Sequence, residues 1–437
     1  MSCFHIRGPA RISGTFQPAG NKNAALPILA GCLLTDQPVE LENVPDIRDV
    51  RTLCELLERL GAEVTWTTPH AVRVHARDIR AGALDSELAG LIRASVLLAG
   101  PLLARRGEVR LPPPGGDVIG RRRLDTHFLA LRSLGAEVEA GDAYYLRSSR
   151  LQGARIFLDE PSVTGTENAI LAAVTARGTT RIVNAAAEPH VQDLCRFLVG
   201  LGAAIDGIGT HTVTIEGVEK LSGGSHRIGT DHIEVGSLIG LAAVTRSPLV
   251  IRDVAPETLD PLRVGFGRLG ITWEERDGGI QLAADQELEI QSDLGDQIPK
   301  IDDGPWPAFP ADLISIALVV ATQCRGTILI HEKMFESRMF FVDKLISMGA
   351  RIVLCDPHRA VVVGPSRLRG QVLESPDIRA GMALLIAALA AEGESEIHNI
   401  RQIERGYEAI GRRLAELGAD IGREPGPVGS GAEWTGT

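Results

Sequence analysis

One phrase recurs six times along the chain and restricts the fold more than any other feature. It consists of an amphipathic helix, then Leu-Gly-Ala or a close variant, then a strand of alternating polarity. It reads LCELLERLGAEVTW around Gly61, FLALRSLGAEVEA around Gly135 and LCRFLVGLGAAIDG around Gly202. It returns as GFGRLGITWEE around Gly270, KLISMGARIVL around Gly349 and RRLAELGADIGR around Gly418. Successive glycines lie 74, 67, 68, 79 and 69 residues apart. A helix ending at Gly marks a left-handed cap, and the alternating strand after it buries one face.

A second phrase interleaves with the first: an apolar helix, a polar break, a β-rich strand and a loop carrying charge. Examples are NAALPILAGCLLTDQPVELENVPDIRD, ENAILAAVTARGTTRIVNAAAEPHVQD, LISIALVVATQCRGTILIHEKMFESR and MALLIAALAAEGESEIHNIRQIERG. Helices that are apolar nearly all round are buried ones. Each repeat is therefore a small α/β layer with two helices and about four strands. Three such layers bury their apolar helices by packing them centrally with the sheets outside, and six layers make two similar domains. A solenoid of six stacked units is the alternative, but solenoid repeats are shorter, on the order of 20–45 residues. The predicted division is residues 22–230 for the first domain and 1–21 plus 231–424 for a discontinuous second one. The N-terminal strand and the stretch around Gly14–Gly20 complete the second domain, and 425–437 read as a flexible tail.

A chain of 437 residues exceeds one hydrophobic core, which agrees with two domains. Its net charge of −11 disfavours nucleic-acid or membrane partners, so an anionic ligand needs a locally basic cleft. An aromatic share of 4% leaves little for stacking on bases. The cysteines (Cys3, Cys32, Cys54, Cys195, Cys324, Cys355) show no CxxC pair. They read as small buried hydrophobes, neither a zinc site nor a disulfide framework. The start, MSCFHIRGPARISG, has no apolar signal-peptide stretch, and the run Leu384–Ala391 is too short to span a bilayer; both predict a cytoplasmic protein.

The chemistry-bearing candidates sit on loops beside the apolar helices. Gly20-Asn21-Lys22-Asn23 precedes one of them, where free N–H groups and the positive dipole end favour an anion shared with Lys22. A solvated Lys beside a capping Asn is the plainer reading. The segment LPPPGGDVIGRRRLDTH, Leu111–His127, combines a Gly/Pro break, Asp117 and three arginines, Arg121–Arg123. It reads as a mobile lid over an anionic substrate, against a simple charged turn. Asp312 in PAFPAD stands where an N-cap is expected. Arg338 in MFESR, Asp377 and Arg379 in DIR, and Arg405 in IERGY adjoin apolar helices in the same way. Singly each is an ordinary surface charge; at equivalent places in successive repeats they converge at one end of a domain. No GxxxxGK[ST] loop, GxSxG elbow or HExxH is present, and the His residues show no ligand spacing.

Together these residues resemble the enolpyruvyl transferase family, in the branch whose acceptor is UDP-N-acetylglucosamine rather than the shikimate-pathway branch. The resemblance runs from Gly8 to about Arg423. It is carried by GNKNAALPILA, IRAS, GGDVIGRRRLD, PSVTGTEN, NAAAEP, TDHIEVG, PAFPAD, MFESR, DIRA and IERGYE. It implies a fold of two three-unit domains, often called an inverted α/β barrel. It implies phosphoenolpyruvate as donor, UDP-N-acetylglucosamine as acceptor and no metal or organic cofactor. Lys22, Arg122 and Arg405 would surround the donor's phosphate, with Asn23 positioning the substrates. Arg338 and Arg379, beside Asp377, would hold its carboxylate, and Arg93 would join the same cleft. Asp312 would take the proton of the sugar 3′-hydroxyl. Arg122, Arg123, Leu124, Asp125 and Thr126 would form the uridine pocket, Ser162, Val163 and Thr164 the diphosphate contacts, and Met334 the uracil side.

Asp117 departs from the family pattern, which most often has Cys there. That Cys is associated with proton transfer and is alkylated by the epoxide antibiotic fosfomycin. An acid serves as a proton donor only when protonated; burial and substrate anions favour that state and Arg121–Arg123 oppose it. A carboxylate opens epoxides less readily than a thiolate, so resistance to fosfomycin is expected. Glu160, Pro161 and Arg123 are milder departures near the nucleotide contacts. The rival readings are the shikimate-pathway enzyme, a paralogue acting on another uridine nucleotide such as UMP, and a non-catalytic regulator. Intact Lys22, Asp312, Arg379 and Arg405 argue against the last.

Overall fold

The computed structural model describes residues 2–80, 83–116, 120 and 122–424. The chain folds into two compact units. One holds described residues 20–80, 83–116 and 122–229, the other 2–19, 120 and 230–424. Each has its own hydrophobic core. The expected tail, 425–437, lies outside the described residues.

The six repeat glycines, Gly61, Gly135, Gly202, Gly270, Gly349 and Gly418, all have positive φ, from 78° to 105°. At Gly61 the reason is plain. The helix Arg48–Leu60 ends there with φ 105°, its N–H reaching back to the Glu58 carbonyl, and the strand Glu63–Thr68 leaves in a new direction. A side chain is strained at that angle.

The apolar helices are the cores. In the second unit every residue of His232–Val244 and Ile314–Ala321 is buried, as are nearly all of Ile378–Ala390. The three pack on one another. A β-carbon at Gly236 or Gly240 would lie 2.4 Å from Leu313 or 2.6 Å from Ile316, so glycine sets how closely these helices approach. Each large side chain fully buried there, such as Leu318 or Leu385, stabilises the unit by about 1.5–3 kcal/mol. In the first unit Lys22–Gly31, Val163–Ala173 and the pair Arg93–Leu98 and Ala99–Arg106 play the same part.

Among the described residues six separate sheets accompany these helices, and none closes into a barrel. Most follow one plan: a parallel edge strand, a central strand, then an antiparallel hairpin. The strand Gly224–Arg227, at the far end of the first unit, runs parallel to Val39–Glu42 near its start. In the second unit Gly14–Phe16 runs parallel to Leu249–Ile251. The strand Cys3–Gly8 lies between Gly393–His398 and Asp420–Glu424, antiparallel to both. The chain's first strands thus complete sheets built from later repeats. Buried Glu234 holds this segment down, accepting from Arg413 at 2.6 Å and from the Ala19 N–H at 2.7 Å. The α/β class, the six repeats and the central helices agree with the sequence reading.

Five of the six cysteines are buried, as expected, but Cys355 is exposed. It sits on the solvent-facing register of the strand Arg351–Asp356, next to a shift in pairing at Leu354 and Asp356. No helix of the described residues is long and apolar enough to cross a membrane.

Candidate active site

Each repeat presents a polar or charged residue at the N-terminal end of its apolar helix, a sequence candidate in all but the fourth. Lys22 opens Lys22–Gly31, Arg93 opens the tight turn Arg93–Leu98, and Ser162 caps Val163–Ala173. His232 opens His232–Val244, Asp312 lies in the turn Ala311–Leu313 ahead of Ile314–Ala321, and Arg379 is second in Ile378–Ala390. Asn21, Ser162, Asp231 and Asp377 cap four of these helices through their side chains. Free N–H groups and aligned peptide dipoles make such ends receptive to anions.

In the second unit three candidates form one cluster. Asp312 Oδ1 accepts from Arg338 Nη1 at 3.0 Å, and Oδ2 from Arg379 Nε at 2.9 Å and Nη2 at 2.8 Å. The capping role that the sequence left open for Asp312 is not used, because Pro310 stands at the cap and the carboxylate faces the two guanidinium groups. Arg338 stacks on Phe335 and Arg379 on Tyr407, whose hydroxyl meets Ser237 at 2.9 Å. The side chains of Arg338 and Arg379 are only 4% and 7% exposed, while Asp312 keeps 23%. Burial raises the Asp312 pKa, but the charges of Arg379 and Arg338 outweigh it and hold the carboxyl well below its usual range. Arg338 Nε also lies 3.9 Å from Oε2 of buried Glu332. Arg338 Nε and Arg379 Nη1 are buried with no acceptor. A substrate carboxylate would satisfy these donors.

Asp377 is used as the cap of the Arg379 helix, accepting from the Arg379 and Ala380 N–H groups at 2.8 and 3.0 Å. Half-buried Arg405 bonds Gln402 at 3.0 Å. It precedes Gly406, where a β-carbon would lie 2.3 Å from Ile378 Cγ2, so glycine lets the start of the Arg379 helix pack against that turn. Met334 is 38% exposed on the loop leading to Arg338. Two buried carboxyls hold that loop: Asp303 accepts from the Lys333 and Met334 N–H groups, and Glu332 from those of Met334 and Phe335. Burial pushes the Glu332 pKa up, Arg338 draws it down, and the adjacent Asp303 raises it again, so the net shift is upward.

In the first unit Lys22 is buried and its ammonium lies 2.8 Å from Asp49 Oδ2, not in solvent. Asn21 accepts from the Asn23 and Ala24 N–H groups. Arg93 Nη2 donates to the carbonyls of Arg122 and Arg123, at 3.0 Å each. The guanidinium thus holds the backbone at 122 and 123. Burial and then Arg122 lower its pKa to about 10. Gly116, at φ 108°, has its would-be β-carbon 2.8 Å from Arg93 Cβ and 3.2 Å from Arg122 Nη1, so only glycine fits there. Exposed Arg123 pairs with Asp125 at 3.0 Å and Asp159 at 3.5 Å. Thr126 Oγ1 donates to Asp159 at 2.7 Å and Glu160 at 3.3 Å, bringing Leu124, Asp125 and Thr126 beside Ser162, Val163 and Thr164. Asp117 and Arg121 lie outside the described residues.

Sequence reasoning missed a layer of buried polar groups. His127 bonds Thr164 at 3.1 Å and Asn168 at 3.1 Å; the Asn amide can only donate, so the ring proton sits on Nε2. Burial, then Arg93 and Arg122, lower its pKa to about 3. His232 is lowered to about 4, chiefly by burial. Glu167 is fully buried with Oε1 unsatisfied, and burial followed by Glu188 raises its pKa well above normal. The available signal was repeat equivalence: TDH at 230–232 occupies the place of GNK at 20–22.

The family model described as EPSP synthase (3-phosphoshikimate 1-carboxyvinyltransferase) matches residues 6–414. The chain is 62% identical over 422 residues to the UDP-N-acetylglucosamine 1-carboxyvinyltransferase of Bradyrhizobium diazoefficiens, covering 97% of this chain and 98% of that one. It is 56% identical to the protein of the same name from Treponema denticola, over 96% and 99% of the two chains. Among solved structures, the enolpyruvyl transferase NikO from Streptomyces tendae superposes with a TM-score of 0.87 at 25% identity, over 98% of this chain and 99% of that one. EPSP synthase from Acinetobacter baumannii shares the fold with a TM-score of 0.76 at 16% identity, over 97% of this chain and 100% of its own.

Proposed function

The chain belongs to the enolpyruvyl transferase family, and from that premise we propose that it transfers the enolpyruvyl group of phosphoenolpyruvate to the 3′-hydroxyl of UDP-N-acetylglucosamine, releasing phosphate. This is the first committed step of peptidoglycan synthesis. The acceptor follows the relatives that are 62% and 56% identical across nearly the whole chain. The observation that carries the chemistry is the buried Arg338–Asp312–Arg379 cluster, with two guanidinium donors in need of an acceptor.

In this reading the donor's carboxylate binds Arg338 and Arg379, competing with Asp312 for them. As the guanidinium groups turn to the substrate, Asp312 loses the charges that depress its pKa and becomes able to accept the 3′-hydroxyl proton. A proton added to C3 of the enol leaves cationic character at C2, and the 3′-oxygen attacks there. The tetrahedral ketal then loses a proton from C3 and expels phosphate, restoring the carbon–carbon double bond, and Lys22, Arg122 and Arg405 receive the phosphate as fixed positive charges. Asn23 and Arg93 position the substrates. Arg122, Arg123, Leu124, Asp125 and Thr126 with Met334 enclose the uridine, and Ser162, Val163 and Thr164 meet the diphosphate. Asp117 donates the proton to C3, and the absence of a thiol there makes the enzyme resistant to fosfomycin. The substrates are cytoplasmic metabolites, and we assign the protein to that compartment.

The test is phosphate release from phosphoenolpyruvate with each candidate acceptor. UDP-N-acetylglucosamine should support turnover, while UMP and shikimate 3-phosphate should not. Turnover with either of those alone would overturn the acceptor assignment.

A further inference from the structure

The outer face of the sheet that joins the chain's first and last strands carries a cluster that the transferase reaction does not use. The register fixes it. Cys3 pairs with His398 on one side and Glu424 on the other, and His5 pairs with Glu396. Partners across an antiparallel ladder point to the same face. Phe4, Ile6 and Ile397, one residue out of step, are buried in the core. Cys3, His5, Glu396, His398 and Glu424 therefore share the opposite face.

Their donor atoms are close. Cys3 Sγ lies 3.3 Å from His5 Nε2, which lies 3.3 Å from Glu424 Oε2. On the other flank His398 Nε2 lies 3.1 Å from Glu396 Oε1. Cys3 with His5 and Glu424, and Cys3 with Glu396 and His398, each form a triad whose ligand atoms all lie within 4.8 Å of one another. Ligands about 2.0–2.3 Å from a tetrahedral zinc ion are separated by roughly 3.3–3.8 Å, so either triad needs little adjustment to close on a cation. One thiol, two imidazoles and carboxylates form a mixed sulfur, nitrogen and oxygen set. That set suits zinc or cobalt and not magnesium or calcium, which take oxygen alone.

We propose that Cys3 binds one borderline divalent cation such as zinc, together with either His5 and Glu424 or Glu396 and His398, its thiolate being the donor common to both triads. Bound there, the ion ties the N-terminal strand to Asp420–Glu424 or to Gly393–His398 and stabilises the unit those strands close.

The experiment is a cobalt(II) titration of the untagged full-length protein, followed by absorbance, with zinc competition and thermal unfolding alongside. One cation per chain is expected, with a thiolate-to-cobalt charge-transfer band, release of about one proton from the thiol and a higher unfolding temperature. Cys3→Ser should abolish the band and weaken binding by about tenfold or more, and the double variant His5→Ala/His398→Ala should weaken it similarly. Cys355→Ser, which removes the exposed thiol, should leave binding unchanged. The idea is overturned if no band forms, if the band survives in Cys3→Ser, or if Cys355→Ser removes it. Phosphate release by each variant reports that the chain is folded, and the histidine pair keeps the test decisive if Cys3→Ser misfolds.

Discussion

Replacing Asp312 by Asn should damage stability and catalysis together, and phosphoenolpyruvate should repair only the first. The change removes the one anion that Arg338 and Arg379 contact at 2.8–3.0 Å, and it turns an amide N–H₂ toward one of them. Both guanidinium groups stay buried, at 4% and 7% exposure, so water cannot replace the lost charge. Breaking a buried pair by removing one partner costs about 3–5 kcal/mol. For a unit of this size each kcal/mol lowers the unfolding midpoint by roughly 2–4 °C, so a fall of about 6–20 °C is expected. The substrate's carboxylate supplies the missing charge without displacing Asp312, so saturating phosphoenolpyruvate should raise the variant's midpoint more than the wild type's. Turnover should still fall by about 10²–10⁴-fold, the usual worth of a positioned base. The assay is thermal unfolding with and without phosphoenolpyruvate, paired with phosphate release. If the variant melts within about 2 °C of wild type and both gain equally from the ligand, the electrostatic account of the cluster is wrong.

Asp49→Asn should untether Lys22 and lower kcat/KM for phosphoenolpyruvate by about 10–100-fold while the KM for the sugar nucleotide stays put; steady-state kinetics in both substrates checks this. Glu332→Gln, which mimics the protonated acid favoured by burial, should keep near-wild-type activity and stability. Glu332→Ala, which frees the Met334 and Phe335 N–H groups, should lose about 2–4 kcal/mol by denaturant unfolding. His127 and His232 are held neutral, with folded pKa values of about 3 and 4 against 6.5 unfolded, so the unfolded chain binds more protons between those values. Stability should therefore fall as pH drops from 6.5 toward 4, and His127→Gln should flatten the decline in a pH series of unfolding curves. Asp117→Cys should retain turnover and gain sensitivity to fosfomycin, read as loss of activity with an adduct mass at position 117.

Much of this protein is local in origin. The glycine caps, the periodic helices and the apolar helices all follow from φ/ψ preference and hydrophobic spacing within about fifteen residues. That is why the six repeats, the two-domain α/β plan and the burial of those helices are legible in the sequence. The positions of the candidate residues are legible too, because repetition puts equivalent residues at equivalent helix ends.

Partnership is not legible. Asp312 meets Arg338 across 26 residues and Arg379 across 67, and nothing in the chain's local pattern says that its carboxylate faces cations instead of capping its helix. Lys22 reads as solvated until the fold brings Asp49 against it. The Cys3 cluster draws on residues near both ends of the sequence, so no ligand spacing could mark it. Short-range periodicity sets which elements form. Which polar groups share a buried environment depends on strand register and helix contact between distant segments, and charge states follow from that environment.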